Sequence, residues 1–485
     1  MRRSASPPSR PGNTDRQMIP INAKPLTPSR HVSMLAVMSM LCLTLNISKS
    51  CQADDWPAFM HDNARSGVSK AQLDVKTMST LWVYRSPAPP RTAWSGPPPM
   101  DAGHQRPMLP ATRDFDSAFF VTAVKDRTFF GSSVTDCAYC VEADTGKRIW
   151  TFRTGGPVRF PPSYSEGRVY FGSDDGFVYC ADAQSGTEIW RYCPAEKDAR
   201  LIGNDGGLVT LWPIRTDVAV ADSKVYFAAS LVPWVEPYLC AINATTGADE
   251  GEQCYRVKAT APGVMGGYAG SPLSPMGAML VSPRRLYLMQ GRIAPQVFDR
   301  ATGSHLSALR PPQDGWDPMM SIWTGAGCYA LLTPDQHVIT GRGKIWTSGS
   351  TLNEFGNNNS QDFVARHPAA HAMVVDGANA FIVVNKYDFG NKERLLKAKG
   401  ELGSIERAQG KVNWRVGSEL LYSLIKTEGL LMVGGDGFAA AHSVHDGTMS
   451  WRQEVVGRVY GLAAAAGRLF VCTDAGLIYC FGNLR

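Results

Sequence analysis

The chain has 485 residues, 44% of them hydrophobic and 19% charged, an ordinary globular composition. That is long for one compact core, so the choice lies between several domains and one repetitive domain. The formal net charge is +6, yet residues 1–53 hold seven Lys/Arg against Asp15 alone, leaving 42 of the 49 basic and 42 of the 43 acidic residues beyond them. A body of zero net charge excludes a polyanion binder by charge, so no nucleic-acid partner is expected.

Residues 1–53 read as an export leader. A Pro/Ser-rich basic stretch precedes an apolar run from Met34 to Ile47, interrupted by Ser39, Thr44 and Asn46, and Ala53 is a plausible cleavage point before Asp54-Asp55-Trp56. The run is too short for a comfortable transmembrane helix, so no membrane span is expected beyond the signal. Cys51 offers a lipoprotein alternative, against which Lys49 stands where a lipobox carries a small residue. The expected location is periplasmic or otherwise exported, with residues 54–485 forming a single domain.

That domain is built on a repeat. Tyr139-Cys-Val-Glu-Ala-Asp-Thr-Gly-Lys-Arg-Ile-Trp150 returns forty residues later as Tyr179-Cys-Ala-Asp-Ala-Gln-Ser-Gly-Thr-Glu-Ile-Trp190. The fixed Gly-to-Trp spacing marks Gly146, Trp150, Gly186 and Trp190 as repeat positions. Gly410 with Trp414 and Gly447 with Trp451 repeat it later, and Trp82 matches the Trp alone. Arg168 to Cys180 is two alternating apolar runs joined at Asp175-Gly176, a strong hairpin signal. Arg468 to Cys480 and Leu430 to Phe438 repeat it, with weaker copies after Val225, Leu286 and Phe381. Apolar segments such as Gly207 to Leu211 or Val218 to Val220 supply a further strand, and no helical periodicity intervenes.

Four short strands per unit predict an all-β propeller. The units run roughly 119–154, 155–195, 205–258, 268–310, 320–350, 367–415, 416–453, and 454–485 joined to 80–86. That makes eight blades, or seven if the ill-defined fifth unit is not one. The last unit lacks a Trp-bearing outer strand, and Leu81-Trp-Val-Tyr-Arg85 matches that strand in blade 1. The N-terminal strand is therefore expected to complete the last blade and close the ring. The unequal spacing places Gly/Pro-rich inserts at 263–272, 310–316 and 354–360, on faces where partners dock.

The repeat resembles the tryptophan-docking motif of quinoprotein-type, PQQ-repeat propellers, seen here as Cys140-x-Glu142-x-x-Thr145-Gly146-Lys147-x-x-Trp150 and as Cys180-x-Asp182-x-x-Ser185-Gly186-x-x-x-Trp190. The likeness covers most of residues 54–485 and is closest to exported non-catalytic members such as outer-membrane assembly lipoproteins. It implies two classes. One is the dehydrogenases that use PQQ with Ca²⁺ on alcohols or sugars; the other is propellers that bind proteins without chemistry of their own. The dehydrogenases usually carry a vicinal Cys-Cys and often a Cys-x-x-Cys-His haem motif. This chain has no Cys-Cys, and Val141 follows Cys137-Ala-Tyr-Cys140.

Individual residues point to structure more than to catalysis. Cys140 and Cys180 share a repeat position and read as small core residues. Cys137 and Cys140, three apart on a strand, diverge and cannot share a metal. Cys193 and Cys254 are at most a weak disulfide pair. Asp174, Asp175, Asp436 and Asp474 read as hairpin-turn acceptors, and Glu142, Asp182, Asp299 and Glu406 as repeat acids. Asn353, Glu354 and Asn357 to Asn359 read as a polar loop. Pro368 argues against a helix aligning His367 with His371, and His442 and His445 diverge. Trp212, Trp234, Trp316 and Trp323 could line a pocket for a planar quinone or a sugar. No hydrolase, zinc-protease, phosphate-loop or dinucleotide motif is present.

The sequence reading is thus an exported, monomeric, non-catalytic scaffold with no cofactor, meeting an envelope protein or a polysaccharide through face loops. The alternatives are a PQQ- and calcium-dependent oxidoreductase acting on alcohols or sugars, and a glycan-binding module.

Overall fold

The structure is a computed structural model that describes residues 55–483 apart from 95–113, 196–200, 205–206, 233–234, 260–272, 292, 313–326, 346–348, 357–361 and 387–398. The leader, Cys51, Trp234, Trp316, Trp323, Asn357 to Asn359 and the insert at 263–272 lie outside the described residues. The described chain is all-β, with six consecutive antiparallel sheets of four strands and a seventh of six. Blade 1 comprises Val121–Val124, Arg127–Ser132, Cys137–Glu142 and Arg148–Arg153, and blade 2 comprises Ser163–Ser165, Arg168–Gly172, Val178–Asp182 and Glu188–Tyr192. Blade 3 runs from Ala219–Ala221 to Tyr255–Lys258 and blade 4 from Met279–Val281 to His305–Ala308. Blade 5 runs from Tyr329–Leu332 to Phe363–Pro368, and blade 6 from Ala370–Asp376 to Lys411–Ser418.

The six-stranded sheet carries the last two sequence units. Leu430–Ser443 pairs with Leu421–Lys426 as far as Gly435 and with Met449–Ala465 from Asp436 onward. Met449–Ala465 in turn pairs with Arg468–Thr473 from Val459. The N–H of Val444 reaches the carbonyl of Gly429, as Ala143 N–H reaches Asp126 in blade 1 and Arg407 N–H reaches Ala378 in blade 6. The two halves of Leu430–Ser443 therefore stand where two strands stand elsewhere, and seven sheets account for eight four-stranded units. Blade 8 is completed by Ser79–Arg85, which pairs antiparallel with Leu477–Gly482, Trp82 lying opposite Cys480. The closing strand is where the sequence placed it.

Successive blades meet through one recurring contact. The Trp82 indole N–H donates to the Ala143 carbonyl at 2.9 Å, that of Trp150 to Ala183 at 3.1 Å and that of Trp190 to Ala244 at 3.1 Å. In each case the ring covers the glycine three residues further on. A Cβ at Gly146, Gly186 or Gly247 would come within 2.7 Å of the indole, and these glycines hold φ of +68°, +73° and +73°. Both the space and the left-handed backbone demand glycine. Blade 3 uses Tyr255 instead, its ring against Gly303 and its hydroxyl donating to Arg300 O at 3.1 Å. Trp414 meets Gly447 and donates to Val444 O. Arg468 to Asp144 reinforces the closing seam between blades 8 and 1.

Strand alternation explains the cysteines. Cys137 packs into the layer between blades 8 and 1, and Cys140 into the layer between blades 1 and 2. Cys140, Cys180 and Cys480 all lie opposite their own blade's Trp. Cys193 and Cys254 are not joined in a disulfide. Three readings need correction. Gly207–Thr210 is not a blade strand but pairs with Leu201–Asn204 in a separate hairpin, so blade 3 starts at Ala219. Blade 5 does not end near 350 but continues to Pro368, its 333–337 turn and outer strand lacking the repeat signature. Asn353 and Glu354 sit buried in the strand Gly349–Phe355 rather than in a loop.

Residues 55–72 cross the axis and seal one end of the ring. Ala123 pairs with Trp56, Tyr164 N–H donates to Pro57 O at 2.7 Å, and the Asn63 amide donates to Val220 O at 2.7 Å. Val281 N–H reaches Asn63 O, Leu332 N–H reaches Ala64 O, and Lys426 N–H reaches Gly67 O. These contacts visit the inner strands of blades 1, 2, 3, 4, 5 and 7, near the ends that lead into their first hairpin turns. The five longest connections, 86–120, 193–218, 259–278, 309–328 and 387–398, all leave from the opposite end.

Truncating Trp82 to Ala should cost about 3–5 kcal/mol by loss of a buried aromatic, read as a lowered urea midpoint. Gly186→Val should destabilise comparably by strain and overlap. A Trp82→Ala protein that unfolds like the wild type would show that the closing strand does not hold the ring.

Candidate functional site

Above the plug the axis opens into a cavity of about 740 Å³, including the solvent at its mouth. Phe59 and Met60 of the plug form one boundary, and the inner strands of blades 5 to 8 supply Tyr329, His371, Tyr422 and Tyr460. The connections entering blades 1 and 2 add Phe115, Phe120 and Phe160. The rings are mutually braced. Phe59 meets Phe120 and Phe160 edge-on at 5.0 and 5.1 Å, Phe115 stacks on Phe160 at 5.5 Å, and Tyr422 packs on Tyr460 at 5.2 Å. Tyr329 is fixed by donating to Met373 O while accepting from Met373 N–H. Asp114 also lines the cavity.

Beside the cavity, on blades 1 to 3, lies a buried ion cluster. Arg159 and Arg215 occupy equivalent positions, four residues ahead of the inner strands Ser163–Ser165 and Ala219–Ala221. Both donate to Asp174, Arg159 Nη2 at 2.7 Å and Arg215 Nη2 at 2.9 Å, with all three side chains at most 4% exposed. Arg159 Nη1 also reaches Asp116, which accepts from Ala93 N–H at 2.8 Å. Arg215 donates to Asn204 of the hairpin insert at 2.9 Å and lies over the Trp94 ring at 5.0 Å. Two cations meet two anions, so the cluster is neutral and holds two face inserts to the ring. Burial alone would push the Asp174 carboxyl up; the charges of Arg159 and Arg215 outweigh it and hold it at about 2.

A second cluster replaces the indole contact between blades 5 and 6. A Cβ at Gly410 would meet nothing within 4 Å. Instead Glu354 accepts from Arg407 Nη2 at 2.6 Å and contacts His337 Nδ1 at 2.8 Å and His367 Nε2 at 3.2 Å, while Asp335 accepts from Arg407 at 2.9 Å. Burial raises the Glu354 carboxyl, but hydrogen bonds from His367, Arg407 and His337 prevail and bring it to about 2.

The repeat residues named from the sequence lie in the seams and not at the cavity. Gly146, Trp150, Gly186, Trp190, Gly447, Trp414 and Trp82 make the interblade contacts given above. Trp451 packs edge-on against Phe481 at 5.4 Å, and Gly410 closes its turn with no ring against it. Trp212 is 8% exposed, donates to Glu236 O and belongs to the blade 2–3 core, away from the cavity. Asp175 serves its turn, accepting from Phe177 N–H and Gly155 N–H. Asp174 does more than a turn acceptor: sequence reasoning found its turn and missed its two arginines. Tyr422, Tyr460, Phe160 and Asp114 were missed entirely, since they occupy no fixed repeat position. No group of three metal-capable side chains occurs among the described residues.

Residues 71–255, less than half of the chain, match the family model described as outer membrane protein assembly factor BamB. The quinohemoprotein alcohol dehydrogenase of Comamonas testosteroni is similar in structure, with a TM-score of 0.60 at 14% identity, covering 90% of this chain and 82% of that one. A europium-containing methanol dehydrogenase gives 0.59 at 12% identity, covering 89% and 98%. A computationally designed protein, Ika8, gives 0.51 at 12% identity, covering 78% and 100%. No curated protein matches. At these identities the structural likeness is one of fold, that of the PQQ-repeat β-propellers, which assembly factors and dehydrogenases share.

The described residues do not fit PQQ with its metal. PQQ is a planar tricarboxylate, and the described lining of the cavity offers it neither Lys nor Arg. The buried arginines alongside are already neutralised by Asp174 and Asp116.

Asp174 sits at about 2 in the fold against an ordinary 3.8, so its contribution is complete above the ordinary value and is lost as pH falls from about 4 toward 2. Linkage sets it on the order of 2 kcal/mol. Asp174→Asn should flatten stability against pH across that window while lowering it at pH 7, measured by urea unfolding at several pH values. An unchanged acid profile would remove Asp174 as a source of acid sensitivity.

Proposed function

We propose that this PQQ-repeat propeller is an exported, non-catalytic binding module of the bacterial envelope that meets a protein partner through one face. The observation that carries this reading is the asymmetry of the ring. Residues 55–72 close one end by backbone hydrogen bonds to five blades and an Asn63 side-chain bond to a sixth, while the strands flanking the five longest connections end at the other. Long connections on a rigid scaffold are where binding residues concentrate. The buried Arg159–Asp174–Arg215 cluster supports it further, because it spends its charge on anchoring the hairpin and the 86–94 segment rather than on a ligand. Export and a periplasmic location rest on residues 1–53; lipid anchoring at Cys51 is the less favoured form. A monomer accords with closure of the ring by its own N-terminal strand.

The second reading, a PQQ- and calcium-dependent oxidoreductase, is favoured by the fold likeness to the two dehydrogenases. Incubation with PQQ and Ca²⁺ should leave no quinone absorbance after gel filtration and no dye reduction with alcohols or sugars. Stoichiometric quinone retention with substrate-dependent dye reduction would establish the oxidoreductase instead.

The face assignment has its own test. A photo-crosslinker at Leu208, 66% exposed on the hairpin, should give a defined protein adduct in the envelope. The same group at Ala378, exposed in a turn at the plugged end, should give none. Equal adducts from both positions, or polysaccharide alone from Leu208, would overturn the reading.

A further inference from the structure

We propose that the seam between blades 5 and 6 holds, at Gly410, a binding site for a small planar aromatic carrying one ring-borne hydrogen-bond donor, a free indole or phenol. The other seams show what such a site takes. At five of them a glycine with φ between +68° and +75° lies under an aromatic ring: Gly146 under Trp82, Gly186 under Trp150, Gly247 under Trp190, Gly303 under Tyr255 and Gly447 under Trp414. Each ring also donates to the carbonyl three residues before its glycine, those of Ala143, Ala183, Ala244, Arg300 and Val444. Gly410 closes the equivalent turn of blade 6 with φ of +64°, is exposed, and offers a Cβ nothing within 4 Å. The carbonyl three residues earlier is that of Arg407, and it receives no hydrogen bond among the described residues.

What this seam lacks is the ring alone. Beside the outer-strand bulge, Trp150 stands opposite Cys140, Trp190 opposite Cys180 and Trp414 opposite Ser404. In blade 5 that place belongs to Ala365, opposite Glu354, so a methyl stands where an indole would. The charged cluster does not fill the vacated space, and the seam between blades 3 and 4 shows why. There Arg300 bonds Asp222, in the first turn of the preceding blade, at 2.6 Å, and the Tyr255 ring still covers Gly303. Arg407 makes the same reach to Asp335, in the first turn of blade 5, at 2.9 Å and continues to Glu354 at 2.6 Å. No atom of it comes within 4 Å of a Cβ at Gly410. The two seams thus share the arginine bridge and differ in the ring. A ligand placed over Gly410 would gain the glycine contact and the carbonyl that five native rings gain. Both are backbone held by the turn, so little is ordered on arrival.

The occupant is a small molecule and not a partner's side chain, because the adjoining turn at Ala378, whose carbonyl accepts from Arg407 N–H at 2.9 Å, lies at the plugged end; this point alone rests on the face assignment above. Fluorine NMR of 5-fluoroindole with the full chain should show saturable line broadening, with a dissociation constant on the order of 1 mM for a ligand of one ring system. Ala365→Trp supplies the ring from within the chain and should weaken that binding at least about tenfold, as the native indoles already occupy their own seams. Should that variant not fold, Ala365→Phe fills the same space and should give the same direction of loss. 5-Fluorobenzofuran, which keeps the shape and loses the N–H, should bind about threefold or more weakly than 5-fluoroindole. Broadening that persists unchanged in a folded Ala365 variant, or no saturation by about 10 mM, would overturn the proposal. Equal binding of the benzofuran would overturn the role of the Arg407 carbonyl. A defined protein adduct at Ala378 would overturn the small-molecule occupant and give the site to a partner's aromatic side chain.

Discussion

The seam contact between an aromatic ring on one blade's outer strand and a left-handed glycine on the next is the constraint on which this ring depends. A blade is a twisted four-stranded sheet with two apolar faces, and it is stable only when both are covered. The indole does three things at once in the first seams. It covers the glycine, satisfies the carbonyl three residues earlier, and sets the angle between blades through a rigid ring. Trp82, Trp150 and Trp190 perform this identically, and Tyr255 performs it with a shorter reach to Arg300 O. The ring is therefore close to a set of nearest-neighbour interfaces of one design. Its closure is the same interface made by residues from opposite ends of the chain.

Where the aromatic is missing, charge replaces it. Between blades 5 and 6 Gly410 is uncovered, and Glu354, His337, His367 and Arg407 form the contact. A polar seam of this kind costs more to lose than it gains in formation, because any one member removed leaves the others buried and uncompensated. The indole seams are indifferent to pH, whereas this one carries a carboxylate held at about 2 and two imidazoles. Blade 5 is also where the repeat signature fades. The two facts have one cause: without the Trp and Gly positions the sequence no longer announces the blade, and the structure must hold the seam by other chemistry.

That is why the architecture was legible and the site was not. Gly146 and Trp150 recur at fixed spacing because every seam asks the same geometric question, so a single sequence answers it several times. The closing strand could be read from Trp82 because it supplies the one missing copy. The cavity asks its question once. Tyr422, Tyr460, Phe160 and Asp114 come from five separate stretches of chain together with Phe59 and Phe115, and no spacing links them. The same limit hid the second role of Asp174. Its hairpin turn is local and visible in Asp174-Asp175-Gly176, but its partners Arg159 and Arg215 become visible only when two inner-strand entrances are seen to be equivalent. Glu354 was misplaced for a related reason, since the asparagines that follow it look like loop while its own neighbours are strand.

The N-terminal segment joins these themes. Residues 55–72 cover one end of the axis, and Ser79–Arg85 completes the last blade, so the floor of the cavity and the closure of the ring are one continuous stretch of chain. Phe59 and Met60 are held at the floor by backbone bonds to inner strands on either side of them, and Trp82 is held by blade 1. A change that loosened the closing strand would therefore act on the cavity through some twenty residues of connected backbone. The reverse also holds: a ligand packed on Phe59 would stabilise the plug and, through it, the seam between blades 8 and 1, since any species that binds the folded form alone adds its binding free energy to stability. Scaffold and cavity are in this respect a single device, in which the segment that finishes the fold also sets the depth of the site.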